Sequence, residues 1–146
     1  MKGKIENIKI YSAKGEPGKE LLEARLIENM GLEGDLHAKG GERQISLRFA
    51  GNAKLNEAPA EKGLCTSRFR ENITILCDAP LISFKSGARL VIGEAILEIS
   101  GETKHCHEEC VLFQAGKLCS LAGLSLFAKV LKGGVIRIGD DVSITP

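Results

Sequence analysis

The stretch Arg89-Leu90-Val91-Ile92-Gly93-Glu94-Ala95-Ile96-Leu97-Glu98-Ile99 decides the fold class. Two short apolar pieces rich in β-branched residues flank Gly93-Glu94, and the whole of 87–100 reads as a hairpin turning at that pair. The same reading extends outward. Residues 71–77, Glu-Asn-Ile-Thr-Ile-Leu-Cys, form a strand, and Arg43-Gln44-Ile45-Ser46-Leu47 alternates polar and apolar as a half-buried strand does. Residues 4–11 form a first strand with Ile8 and Ile10 at alternate positions, and 135–145 form a last strand pair around Gly139-Asp140. Residues 12–19, 31–35 and Gly40-Gly41 carry turn chemistry. Residues 21–30 fit strand or helix, and 50–63 read as a loop with one helical turn at most. Leu121, Leu124, Phe127, Ala128 and Leu131 recur at three- and four-residue steps and predict one prominent helix over 120–132, stopped by Gly133-Gly134. Short strands divided by glycine turns predict a mainly β fold, a closed or nearly closed β-barrel with that helix and short helical turns.

Composition bounds the function. A chain of 146 residues is expected to form one domain over 1–146. Apolar residues at 43% and charged residues at 27% belong to an ordinary globular chain. A formal charge of +1 argues against a general nucleic-acid binder, and six aromatics without Trp argue against a base-stacking surface. The start, Met1-Lys2-Gly3-Lys4-Ile5-Glu6, has no apolar stretch behind it, so no signal peptide is expected. No apolar run approaches the ~20 residues of a membrane helix. The expected compartment is the cytoplasm.

Five cysteines, an odd number, make a poor disulfide framework in that compartment. Cys65 and Cys77 stand alone and read as small core residues. The reactive cluster is Lys104-His105-Cys106-His107-Glu108-Glu109-Cys110, with Cys119 following. Three readings stay open. Three thiols and a histidine can complete a structural zinc site. Lys104, His105 and His107 can lower the pKa of Cys106 and make a reactive thiol. The segment can also be a surface loop with incidental histidines. The C-x3-C-x2-C iron–sulfur pattern is absent, because position 113 is Phe.

Two further groups could hold an anion. Gly34-Asp35-Leu36-His37-Ala38 with Arg43-Gln44 combines close backbone approach and a planar guanidinium fork. The competing reading is a turn whose Asp caps a backbone amide and whose Arg is merely solvated. Arg68 and Arg70, before Glu71-Asn72-Ile73-Thr74, could line a pocket mouth or the wet face of a strand.

Taken in order, several of these pieces resemble the MOSC domain, named for the C-terminal domain of molybdenum cofactor sulfurases. They are Gly31-Leu32-Glu33-Gly34-Asp35-x-His37-Ala38, Arg43-Gln44-x-Ser46-Leu47, Glu71-Asn72-Ile73-Thr74, the cysteine segment after Ile99, and Phe127-Ala128-x-Val130-Leu131-x-Gly133-Gly134. The chain is similar to the small stand-alone bacterial members, although Leu36 stands where a basic residue is common. The resemblance implies a pocket for the molybdenum cofactor, a pterin carrying molybdenum or tungsten. It places the family cysteine at Cys110, with Cys106 as the near alternative. Cys110 would carry sulfur as a persulfide or ligate the metal. His37, Arg43, Gln44, Asn72 and Thr74 would hold the anionic cofactor. The implied partners are a separate cysteine desulfurase and a molybdoenzyme or cofactor-synthesis protein, with no nucleic acid or membrane. No pyridoxal phosphate site is expected. The activity would be sulfur transfer to the cofactor or that of a small molybdenum-dependent oxidoreductase module. The rival is a non-catalytic zinc-stabilised barrel that docks onto a cofactor-synthesis enzyme.

Overall fold

The hairpin forms where its alternation demands. In the computed structural model β7 (Arg89–Ile92) and β8 (Ala95–Thr103) pair antiparallel, with Ile92 opposite Ala95 and Leu90 opposite Leu97. Leu90, Ile92, Ala95, Leu97 and Ile99 point into the core, while Val91 points out. Residues 2–41, 43–50, 71–77, 86–103 and 125–145 are described.

The remaining strands are β1 (Lys2–Ile10), β2 (Lys19–Glu20), β3 (Glu23–Ile27), β4 (Gly31–Leu32), β5 (Ile45–Ala50), β6 (Ile73–Cys77), β9 (Ser125–Lys132), β10 (Gly134–Arg137) and β11 (Asp141–Thr145). Seven of them close a barrel in the order β1-β11-β7-β8-β9-β5-β6 and back to β1. Closure leaves no open edge among these seven. All neighbours are antiparallel except β5 and β6, where Leu47 stands beside Ile73. The short β2 pairs with the end of β1, and β3, β4 and β10 form a second small sheet.

Two details depart from the plain alternation of the sequence. Between Ile5 and Asn7 the pairing of β1 with β6 shifts by one residue. This bulge lets Ile5 and Ile8, three apart, both enter the core, and leaves Ile10 only half-buried. The expected pairing within 135–145 is also replaced. Gly139-Asp140 turns the chain, but β10 pairs with β3, whereas β11 pairs with β7 and β1. Ile136 thereby joins Ala24 and Leu26 in the core, and Val142 and Ile144 help close the barrel.

The helix expected over 120–132 is not present: no helix occurs among the described residues, and 125–132 is strand β9. The physical reason lies in the residues themselves. Leu126, Ala128 and Val130 are buried, and Phe127, Lys129 and Leu131 between them are only half-buried, a period of two. Phe127, Val130 and Leu131 satisfy a helical stripe as well as a strand face, so periodicity alone does not choose. Pairing chooses: β8 takes one edge of β9 and β5 the other. Residues 120–124, the start of that expected helix, lie outside the described residues, as do 51–63 of the loop expected over 50–63; Ala50 ends β5.

Gly31 sits at φ 140, and a Cβ there would lie 2.8 Å from the Gln44 carbonyl oxygen. Only glycine lets the 31–35 turn press against the entry to β5.

Candidate functional site

Because β5 and β6 run parallel, their first residues lie side by side, and Arg43-Gln44 and Glu71-Asn72 meet at one end of the barrel. The end of β1, antiparallel to β6, arrives at the same place. Asn72 joins these strands. Its side-chain oxygen accepts the Ser46 amide at 2.9 Å, and its Nδ2 donates to the Lys9 carbonyl and to Asp35 Oδ1, both at 3.1 Å. Its backbone donates to the Ser46 carbonyl and accepts from the Lys9 amide. Every hydrogen-bonding group of this buried asparagine is thus engaged.

Asp35 completes the seam. Oδ1 also accepts the Tyr11 amide at 2.8 Å, and Oδ2 accepts the His37 amide at 3.0 Å. The second bond closes the Asx turn that Gly34-Asp35-x-His37 favours. The carboxylate is fully buried, with the His37 Nδ1 3.7 Å from Oδ2. His37 itself is 56% exposed. Asp35 was visible in the sequence only as the capping turn residue; its bonds to Tyr11 and Asn72 depend on segments far apart in the chain.

Gln44, also buried, extends the sheet sideways. Its Oε1 accepts the Val130 amide at 3.0 Å, and its Nε2 donates to the Gly41 carbonyl at 2.9 Å. Arg43 beside it is exposed, and its guanidinium carbon lies 4.9 Å from the centre of the Phe127 ring. That distance is within cation–π range. Phe127, read from the sequence as helix face, becomes the platform under the guanidinium. Thr74 is buried two residues along β6 from Asn72.

The structure joins Asn72 to the Asp35–His37 turn and sets Arg43 and Gln44 at the entry to β5, while Thr74 stands beside Arg48 farther along β6. Cys77 is buried inside β6, as its apolar surroundings predict. Cys65, Cys106, Cys110 and Cys119, with His105, His107, Arg68 and Arg70, lie outside the described residues. The chain that carries Cys106 and Cys110 leaves β8 at Thr103 and returns at Ser125, opposite Arg48. Arg48 lies three residues along β5 from Ile45, so that chain departs roughly 10 Å along the strand from the end that carries Arg43 and Gln44. Among the described residues no cluster of three or more His, Cys, Asp or Glu is placed to hold a metal. No helix among them is long and apolar enough to cross a membrane.

A depression of about 600 Å³ lies elsewhere, on the small sheet, lined by Arg25, Ile27, Glu28, Glu33, Glu94 and Val135 among others. Its three carboxylates repel a phosphate, and none of the candidate residues lines it.

The chain belongs to the MOSC domain family, whose model matches residues 37–143. That membership carries a general cofactor-related role. Among solved structures the chain is similar to the YuaD protein from Bacillus subtilis, with 20% identity, 99% of this chain and 96% of that one covered, and a TM-score of 0.67. It is also similar to YiiM from Escherichia coli, with 14% identity, 100% and 70% covered, and a TM-score of 0.59. At these identities the likeness is one of fold. No curated protein sequence matches the chain.

Proposed function

We propose that the protein binds a molybdenum- or tungsten-pterin cofactor at the barrel end and handles sulfur on it through Cys110. One observation carries the reading beyond family membership: the Arg43 guanidinium rests on Phe127 beside a rigid buried seam. A planar cation braced on a ring is suited to bind a phosphate through two parallel hydrogen bonds. Arg43, a described donor, fits the anionic end of such a cofactor by its chemistry, and the exposed His37 imidazole is a second described group open to a ligand. The metal end asks for a soft thiolate, the role assigned to Cys110. Gln44 and Asn72 support this arrangement by fixing the backbone around Arg43, their amides being engaged within the protein.

When bound, the cofactor supplies a metal that accepts sulfur. The chain's own contribution is a carrier thiol. The Cys110 thiolate attacks the terminal sulfur of a partner desulfurase's persulfide, and the partner's thiolate leaves. Cys106 supplies a second thiol that can resolve the persulfide. In the alternative version Cys110 ligates the metal directly. The partners are a separate desulfurase and a molybdoenzyme or cofactor-synthesis protein that receives the product.

The test is thermal stability beside sulfur transfer for single serine variants. Cys110→Ser is expected to stay folded and lose persulfide formation or metal retention, since a hydroxyl is far less acidic and harder than a thiol. Cys106→Ser should slow turnover more than binding. Equal, large losses of stability on replacing Cys106, Cys110 or Cys119 would instead indicate structural zinc, because metal-binding energy is then folding energy.

A further inference from the structure

We propose that Asp35 and His37 form a carboxylate–imidazole pair that presents Nε2 of His37 as a proton acceptor at the barrel end, with Asp35 as its positioning residue. The inference goes beyond cofactor retention and does not require that a cofactor be bound. It starts from an asymmetry. The Asp35 side chain is fully buried, while the imidazole two residues on is 56% exposed. A carboxylate buried at this depth is held in one place by its donors. Here they are the Tyr11 amide and Asn72 Nδ2 on Oδ1, and the His37 amide on Oδ2. Those bonds come from the residue that follows β1, the entry to β6 and the turn itself, so the carboxylate cannot swing with the turn.

Oδ2 is also the oxygen nearest the imidazole, 3.7 Å from Nδ1. At that distance, too long for a hydrogen bond, a fixed negative oxygen favours the proton on Nδ1 by charge alone. The proton state of one ring nitrogen decides the chemistry of the other. With Nδ1–H toward Asp35, Nε2 keeps its lone pair on a side chain that is more than half exposed. Such a nitrogen can take the proton of a ligand hydroxyl or thiol. The ring then becomes an imidazolium beside the Asp35 carboxylate. An unconstrained neutral histidine side chain favours the opposite form, with the proton on Nε2. The Nδ1–H form is therefore a signature that a merely exposed histidine would not show.

Asp35→Asn is informative because of the direction of each bond. The asparagine oxygen can still accept the Tyr11 amide and Asn72 Nδ2. Its amide nitrogen then takes the place of Oδ2, loses the bond from the His37 amide and faces the His37 ring as a donor, which favours the proton on Nε2 instead. The experiment is long-range nitrogen–proton NMR on the full chain, with all three histidines assigned, at a pH where His37 is neutral. The expected result is Nδ1–H at His37 in the parent and Nε2–H in Asp35→Asn. His37 with its proton on Nε2 in the parent overturns the proposal. So does a folded Asp35→Asn that keeps the parent tautomer. If Asp35→Asn does not fold, the parent spectrum decides alone: Nδ1–H supports the pair and Nε2–H overturns it. A cofactor-free protein with Nδ1–H at His37 would uphold this pair even if the sulfur-handling reading failed.

Discussion

The wall made by β7, β8 and β9 and the seam around Asp35, Asn72 and Gln44 are equally buried but held by different forces. The wall is apolar: Leu90, Ile92, Leu97, Ala128 and Val130 are fully covered and contribute by area and packing. The seam is polar, and each group in it has a directed partner. Burial without direction tolerates a change of shape that keeps volume. Directed bonds do not, because a lost acceptor strands a buried donor. The seam fixes the loop and the strand entries that carry Arg43 and His37, while the wall holds the barrel closed behind them.

Predictions follow from that contrast, the largest first. Asp35→Ala removes the acceptor of three donors and should lower stability by about 3–5 kcal/mol in urea unfolding. Leu97→Ala, a cavity in the wall, should cost about 2–4 kcal/mol by the same measurement. Methionine then separates the two regions directly. Leu97→Met keeps the volume and should cost less than about 1.5 kcal/mol. Gln44→Met also nearly keeps volume but strands the Val130 amide, and should cost about 1–3 kcal/mol. Equal losses for the two methionine variants would break the comparison. Arg137→Ala removes a 3.0 Å ion pair with Glu23, both side chains more than 60% exposed, and should change stability by roughly 0–1 kcal/mol.

The β7–β8 hairpin of the wall, with β5 and β6, was most legible in the sequence. The hairpin about Gly93-Glu94 and the strands expected at 43–47 and 71–77, which form as β5 and β6, show their period within a few residues, and the barrel follows from them. β9 was not legible, because Leu126-Phe127-Ala128-x-Val130-Leu131 suits either period and its neighbours β5 and β8 decide. The bulge at Ile5–Asn7 and the partner of β10 are likewise set by pairing between distant segments. At the candidate site, the turn chemistry of Gly34-Asp35-x-His37 was visible, as were Arg43 and Asn72 as polar residues beside strands. Missing from any local pattern was the joining of residues 11, 35, 46 and 72 into one seam. The ring beneath Arg43 was hidden for the same reason, since Phe127 becomes its neighbour only when β9 pairs with β5.

Arg43 links the seam to function. Arg43→Lys should weaken retention of a pterin cofactor by about tenfold, the loss of one charge-assisted hydrogen bond, with little change in stability. Equal retention would make Arg43 a surface residue only. The most direct test of the central claim is purification from a host that makes the cofactor, followed by metal analysis and fluorescence of the oxidised pterin. The account predicts molybdenum or tungsten together with a fluorescent pterin, in proportion to the chain. Stoichiometric zinc without any pterin would contradict it.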